Sequence, residues 1–140
     1  MPIQLNKVAY TTSATAKGGR AGHVRSADGL VEFDLAQPGT TPQPAVNPET
    51  LFAAGYSACF QGALANRAKT QGIDTSDSTV TANVSFGPSE DGGFGLAVEL
   101  EVSIPNVDAA KALELVELAH QFCPYSKATR DNIEVTLTVV

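Results

Sequence analysis

The run from Asn47 to Gly72 constrains this fold most, because it reads as a helix with almost no polar face. Asn47, Pro48 and Glu49 form a helix start. Asn caps free N–H groups, Pro suits the first helical position, and an acid in the first turn faces the positive end of the helix. The spacing predicts a helix to about Lys69, with Gly72 as its stop. From Leu51 to Leu64 it is free of charged side chains and rich in small ones, among them Ala53, Ala54, Gly55, Ser57, Ala58, Gly62 and Ala63, with Ala65 just beyond. A helix apolar on all sides is expected to be buried on all sides. One small sheet covers only one side, so the expected arrangement is a homodimer whose partner covers the rest. The alternative is that a second helix and loops of the same chain do all the covering.

Strand patterns flank this helix. Val31, Phe33 and Leu35 alternate with Glu32 and Asp34, after an Asp28-Gly29 turn signal that pairs them with Gly22–Ser26. A less clean strand is expected near Lys7–Ala14. Val80, Ala82, Val84 and Phe86 alternate with polar residues, and so do Leu96, Val98, Leu100, Val102 and Ile104, with a Gly-rich loop over Gly87–Gly93 between them. Ile133, Val135, Leu137 and Val139 predict a last strand. A second, amphipathic helix is expected from Asp108 to about Phe122, with Ala112, Leu115, Leu118, Ala119 and Phe122 on one face. The stretch 36–46, with Pro38, Pro42 and Pro44, reads as an exposed loop. Three strands, a helix, two strands, a helix and a strand predict an α+β fold with antiparallel sheets in one domain, 1–140.

Charge narrows the function. The net charge is −6 with only nine Lys and Arg, against the basic patches that nucleic acid or an anionic membrane demands. No apolar run is long enough to span a bilayer, and no charged-then-apolar leader opens the chain. A cytoplasmic location is expected. In that reducing setting two cysteines suggest transient chemistry over a structural staple.

Cys59 lies mid-helix, where a free cysteine can serve simply as a small core hydrophobe. Cys123 follows the amphipathic helix and opens Cys-Pro-Tyr-Ser, where Pro124 ends or restarts a helix. A bond closing that 64-residue loop would stabilise the oxidised fold by about 4 kcal/mol in the chain-entropy model. On spacing alone, a redox pair and two unrelated core cysteines stay equally open. His23 and His120 read as structural or surface residues, since no second ligand pair accompanies them for a metal site.

Patterns beyond the cysteines decide between these readings. Asn47-Pro48-Glu49-Thr50-Leu51-Phe52-Ala53-Ala54-Gly55-Tyr56-Ser57-Ala58-Cys59-Phe60 resembles the reactive-cysteine helix of the organic hydroperoxide resistance (Ohr) family, within the larger Ohr/OsmC group. Cys123-Pro124-Tyr125-Ser126, with Ala128-Thr129-Arg130 and Asn132-Ile133, resembles its second cysteine motif, and Gly18-Gly19-Arg20, Gly22 and Ser26–Gly29 its N-terminal segment. The resemblance implies an OsmC-like fold and an intertwined homodimeric peroxidase needing no metal or other cofactor. It implies organic (alkyl and fatty-acid) hydroperoxides as substrates, Cys59 as the peroxidatic and Cys123 as the resolving cysteine, and Arg20 and Glu49 completing the site. The implied reductant is the dithiol of a lipoylated protein. Two departures stand out: the loop before Asn47 is short and Pro-rich, and Asp131 stands where the family usually has Gly.

The residue types suit this chemistry. The nucleophile is a thiolate, a minor form of an ordinary cysteine at neutral pH. A guanidinium about 4 Å away, at an effective dielectric near 20, contributes roughly 4 kcal/mol toward it. Arg20 is the candidate, with Glu49 orienting it. Glu49 and Cys59 are about 15 Å apart along a straight helix, so both reach one guanidinium only if the helix bends near Gly55 or the site is shared by two subunits. The shared site is the expectation. Leu51, Phe52, Tyr56 and Phe60 offer an apolar wall for an alkyl chain. Two rival readings remain, an OsmC-type peroxidase and a binding module for oxidised lipids or acyl chains.

Overall fold

The computed structural model describes residues 1–140, and the chain falls into two compact units, Met1–Pro48 and Glu49–Val140.

The N-terminal unit is a three-stranded antiparallel sheet, β1 (Ala14–Lys17), β2 (His23–Ser26) and β3 (Glu32–Asp34), in that order. The strand expected near Lys7–Ala14 begins only at Ala14. Its partner explains why: β2 is four residues long, and beyond the Ala14↔Ser26 pair the Ser13 carbonyl accepts from the Ala27 N–H at 3.0 Å before the paired segment turns away at Asp28-Gly29. The Asp28-Gly29 turn forms as expected. Asp28 accepts from the Ser26 hydroxyl and the Leu30 N–H, which together hold its carboxyl below the usual range. Between β1 and β2 a single 3-10 turn, Gly19–Ala21, carries Arg20. Only glycine allows this turn, because a Cβ on Gly22 would lie 1.9 Å from the Lys17 carbonyl oxygen. Val31 and Phe33, which alternate with Glu32 and Asp34, are exposed, and of that apolar set only Leu35 is buried. Loop 36–46 is exposed as expected and closed at its base, where Ala36 donates to Val46 and Val46 to Asp34.

The C-terminal unit holds the continuous core. Helix α1 spans Pro48–Lys69, as its start and stop signals predict, and Gly72 follows with φ +70°. Strands β4 (Thr79–Pro88) and β5 (Phe94–Ser103) form a long hairpin in which Val80 faces Val102, Ala82 faces Leu100 and Val84 faces Val98. Strand β6 (Glu134–Val139) pairs with β5 in parallel, so the sheet is mixed and the all-antiparallel expectation is corrected. The chain between β5 and β6 is a helical crossover, which returns the second strand in the same direction as the first. That crossover is α2 (Ala109–Phe122), capped by the Asp108 carboxylate on the Lys111 N–H, and a short third helix α3 (Pro124–Thr129). Pro124 therefore restarts a helix. Val116 joins Ala112, Leu115 and Ala119 in the core, whereas Phe122 is partly exposed under the Arg67 guanidinium, 4.1 Å from its ring centroid. Asp131, in the turn before β6, has φ +62°, a region Asp tolerates better than most residues.

Within the chain α1 is not covered on all sides, so the alternative in which the second helix and loops of the same chain do all the covering fails. Tyr56, Phe60, Ala63, Leu64 and Ala68 are buried against β5 and α2 core residues, while Ala54, Ala58, Gly62 and Ala65 form an exposed stripe of small residues. Low polarity on every face hid this asymmetry from the sequence. No helix is long and apolar enough to cross a membrane.

Candidate functional site

Two elements of the C-terminal unit bring the cysteines together. Cys59 is half-buried, midway along α1. Cys123 sits at the joint between α2 and α3 in an extended conformation that ends one helix and starts the next. Its N–H donates 2.8 Å to the Ala119 carbonyl, and its own carbonyl accepts from Lys127 at 3.0 Å. The joint turns its side chain fully inward, with Sγ 3.5 Å from Cys59 Sγ. Both thiols are free. A disulfide measures about 2.05 Å, so the sulfurs are in contact without a bond and close by roughly 1.5 Å to form one.

The surroundings of Cys59 pull its titration both ways. Burial raises its pKa, and the neighbouring Cys123 raises it further, whereas the Tyr125 backbone N–H favours the thiolate. The upward influences prevail. The Tyr125 ring lies close over α1 at Gly55, where an added Cβ would stand 3.2 Å from it. It also makes an edge contact with Tyr56 at 5.9 Å between centroids. The small side of the helix thus admits the segment that carries Cys123.

Of the four residues expected to wall a pocket, Leu51 and Phe52 keep partial exposure, while Tyr56 and Phe60 are fully buried in the core. They follow the same i, i+4 face as Ala63 and Leu64, and that face meets the sheet. Glu49 lies in the first turn of α1 and Arg20 in the glycine turn of the N-terminal unit. Helix α1 is continuous through Gly55. An open groove of about 780 Å³ runs along the exposed stripe of α1, lined by Ala58, Gln61, Gly62 and the 72–76 segment, and neither cysteine lines it.

Sequence reasoning passed over a buried polar network behind Cys123. The Tyr56 hydroxyl contacts Ser126 Oγ at 2.8 Å and Thr129 Oγ1 at 3.0 Å, and His120 Nδ1 lies 2.8 Å from the same Ser126 Oγ. Tyr56 and Ser126 are 70 residues apart, so no local pattern announces their meeting. Burial, with the nearby Arg130 charge, holds His120 below the usual histidine range.

Comparisons with known proteins converge on one family. Residues 39–138 match the family described as OsmC-like protein. The chain is 51% identical over 131 residues to the organic hydroperoxide resistance protein OhrB of Bacillus subtilis, covering 91% of this chain and 96% of that one. It is 44% identical over 137 residues to an organic hydroperoxide resistance protein of Xanthomonas axonopodis pv. citri, covering 95% and 96%. The crystal structure of Bacillus subtilis OhrB superposes with a TM-score of 0.91 at 49% identity, over 95% of this chain and all of that one.

Proposed function

Because the chain belongs to the organic hydroperoxide resistance branch of the OsmC-like family, we propose that it is a cysteine peroxidase reducing organic hydroperoxides to alcohols. The observation that carries this reading is the 3.5 Å approach of two free thiols from separate helices. A helix-borne nucleophile with a second thiol in contact suits two-step peroxide reduction.

In the first step the Cys59 thiolate attacks the outer peroxide oxygen, the O–O bond breaks, and the departing alkoxide takes a proton to leave as the alcohol. Cys59 is then a sulfenic acid. In the second step the Cys123 sulfur attacks Cys59 Sγ, the S–O bond breaks, and hydroxide leaves as water with the thiol proton. A dithiol reductant, of the kind carried by lipoylated proteins, returns the disulfide to two thiols by exchange. Leu51 and Phe52 offer apolar surface to the alkyl group, each buried CH₂ contributing about 0.8 kcal/mol, with Tyr56 and Phe60 packed behind them.

Burial and Cys123 both disfavour the Cys59 thiolate, so the first step needs a cation. Arg20 is assigned that role and Glu49 the role of orienting it. Glu49 and Cys59 are separated by several turns of one helix, which favours a site completed by a second copy of the chain. Homodimerisation would also cover the small-residue stripe of α1.

Steady-state reduction of cumene hydroperoxide and of hydrogen peroxide, each with dihydrolipoamide and with thioredoxin, tests the reading. The expected result is turnover fastest with cumene hydroperoxide and dihydrolipoamide, abolished in Cys59→Ser. Cys123→Ser should still lose its Cys59 thiol to one equivalent of peroxide. A protein that consumes no more than one equivalent under excess dithiol is a binder of oxidised lipids or acyl chains, and the peroxidase reading fails.

A further inference from the structure

The buried network behind Cys123 has only one arrangement of protons. Four contacts link His120 Nδ1, Ser126 Oγ, Tyr56 Oη, Thr129 Oγ1 and the Ser126 carbonyl. Three hydroxyl groups supply three protons, and each contact needs one. The Ser126 carbonyl can only accept, so the Thr129 hydroxyl donates to it at 3.2 Å. Thr129 Oγ1 then accepts from Tyr56, Tyr56 accepts from Ser126, and Ser126 accepts from His120. The fourth proton is therefore the Nδ1–H of His120. Burial and Arg130 keep the ring in its neutral range, which makes it the Nδ1–H tautomer.

This directed chain spans the joint that carries Cys123. His120 belongs to the last turn of α2 and Ser126 to α3, and Cys123 lies between them. Tyr56 fixes Ser126 and Thr129 onto α1, the helix that carries Cys59. Arg130 ties the same ends again by donating to the His120 carbonyl. Ser126 and Tyr56 are fully buried, so water does not compete for these bonds.

We propose that the chain His120–Ser126–Tyr56–Thr129 clamps the α2–α3 joint, and that His120 is a positioning residue setting how fast Cys123 closes on oxidised Cys59. The proposal rests on the peroxidase reading and concerns its second step alone. Closure removes the gap between the sulfurs by moving the joint, and a small misplacement in such a step is costly in rate. When closure is slow, a second peroxide oxidises the Cys59 sulfenic acid to the sulfinic acid, losing its own oxygen to sulfur and leaving as a second alcohol.

The test is stopped-flow oxidation with cumene hydroperoxide, followed by mass spectrometry of Cys59, on the wild type, His120→Leu, Ser126→Ala and His120→Asn. Asn presents a polar side-chain atom where Nδ1 stands. His120→Leu and Ser126→Ala should form the sulfenic acid at the wild-type rate, form the disulfide about tenfold more slowly, and accumulate about tenfold more sulfinic acid. His120→Asn should return both quantities to within about threefold of wild type. Nitrogen-15 NMR of the wild type should show the His120 proton on Nδ1 at neutral pH. Disulfide formation in both disruptive variants at the wild-type rate would overturn the clamp, as would an Asn variant as slow as Leu, or a proton on Nε2 only. A wild type that forms no 59–123 disulfide would overturn the peroxidase reading, and the clamp with it.

Discussion

The two units of this chain use apolar residues differently. In Glu49–Val140 one face of α1, the inner face of β5 and the inner face of α2 close around a continuous core, with Leu64, Leu100, Leu115 and Val116 entirely out of solvent. In Met1–Pro48 most large apolar residues are displayed: Ile3, Leu5, Val8, Tyr10, Leu30, Val31 and Phe33 are all exposed, and Leu35 is buried. Alternation along a strand says which residues share a face, but it does not say what covers that face. The C-terminal unit covers its own. The N-terminal unit holds its sheet through backbone pairing and polar contacts and leaves apolar surface uncovered, as does the small-residue stripe of α1. The homodimer proposed above would cover both, and sedimentation at micromolar concentration should then give twice the chain mass. A monomer there would show that no second copy covers the exposed apolar residues.

The contrast can be broken most sharply by paired truncations. Leu100→Ala should destabilise the protein by about 2–5 kcal/mol, the range for a fully buried leucine. Phe33→Ala should cost less than about 1 kcal/mol in dilute protein, since its ring is already half in water. Denaturant titrations of the two variants check this. Equal losses at high dilution would mean that the Phe33 face is covered within one chain.

A smaller effect sharpens the contrast from the side of chemistry. The glycine turn of the N-terminal unit carries Arg20, the cation proposed above for the first step. Arg20→Ala should slow the first thiol oxidation by about a hundredfold, some 2.7 kcal/mol in the barrier, with no comparable loss of stability. A variant oxidised at the wild-type rate would remove Arg20 from the site. The smallest effect concerns His23, whose ring nitrogens face the Asp34 carboxylate at 2.8 Å and the Glu32 carboxylate at 2.9 Å. Hydrogen bonds to Asp34 and then Glu32 raise its pKa above the ordinary 6.5. Its contribution to the N-terminal sheet is therefore full below that ordinary value and lost as pH rises through the raised one. A proton NMR titration should place His23 above 6.5, and Glu32→Gln with Asp34→Asn should bring it down. An unshifted His23 would show the pairing to be absent in solution.

Much of this was legible in the residues. Asn47-Pro48-Glu49 and Gly72 bounded α1 because capping chemistry is local, and the alternation over 80–104 placed the β4–β5 hairpin. Both cysteines were singled out by their motifs. What escaped was set by contacts between distant residues. The parallel pairing of β6 depends on a crossover, and the fate of Val31 and Phe33 depends on what covers a sheet. The partners of His23 come from register, which sets it opposite Asp34. Ser126 stood inside a recognised motif, yet its bonds to Tyr56 and His120 are made only when α3 docks on α1.

The central claim is that Cys59 and Cys123 act as one redox pair. Anaerobic addition of one equivalent of cumene hydroperoxide to the reduced protein, with thiol counting and peptide mass mapping, tests it directly. Loss of both thiols per chain, one equivalent of alcohol released and a peptide joining Cys59 to Cys123 is the expected result. Hydroperoxide left unconsumed with both thiols intact, or an oxidised Cys59 beside a Cys123 that stays reduced, would contradict it.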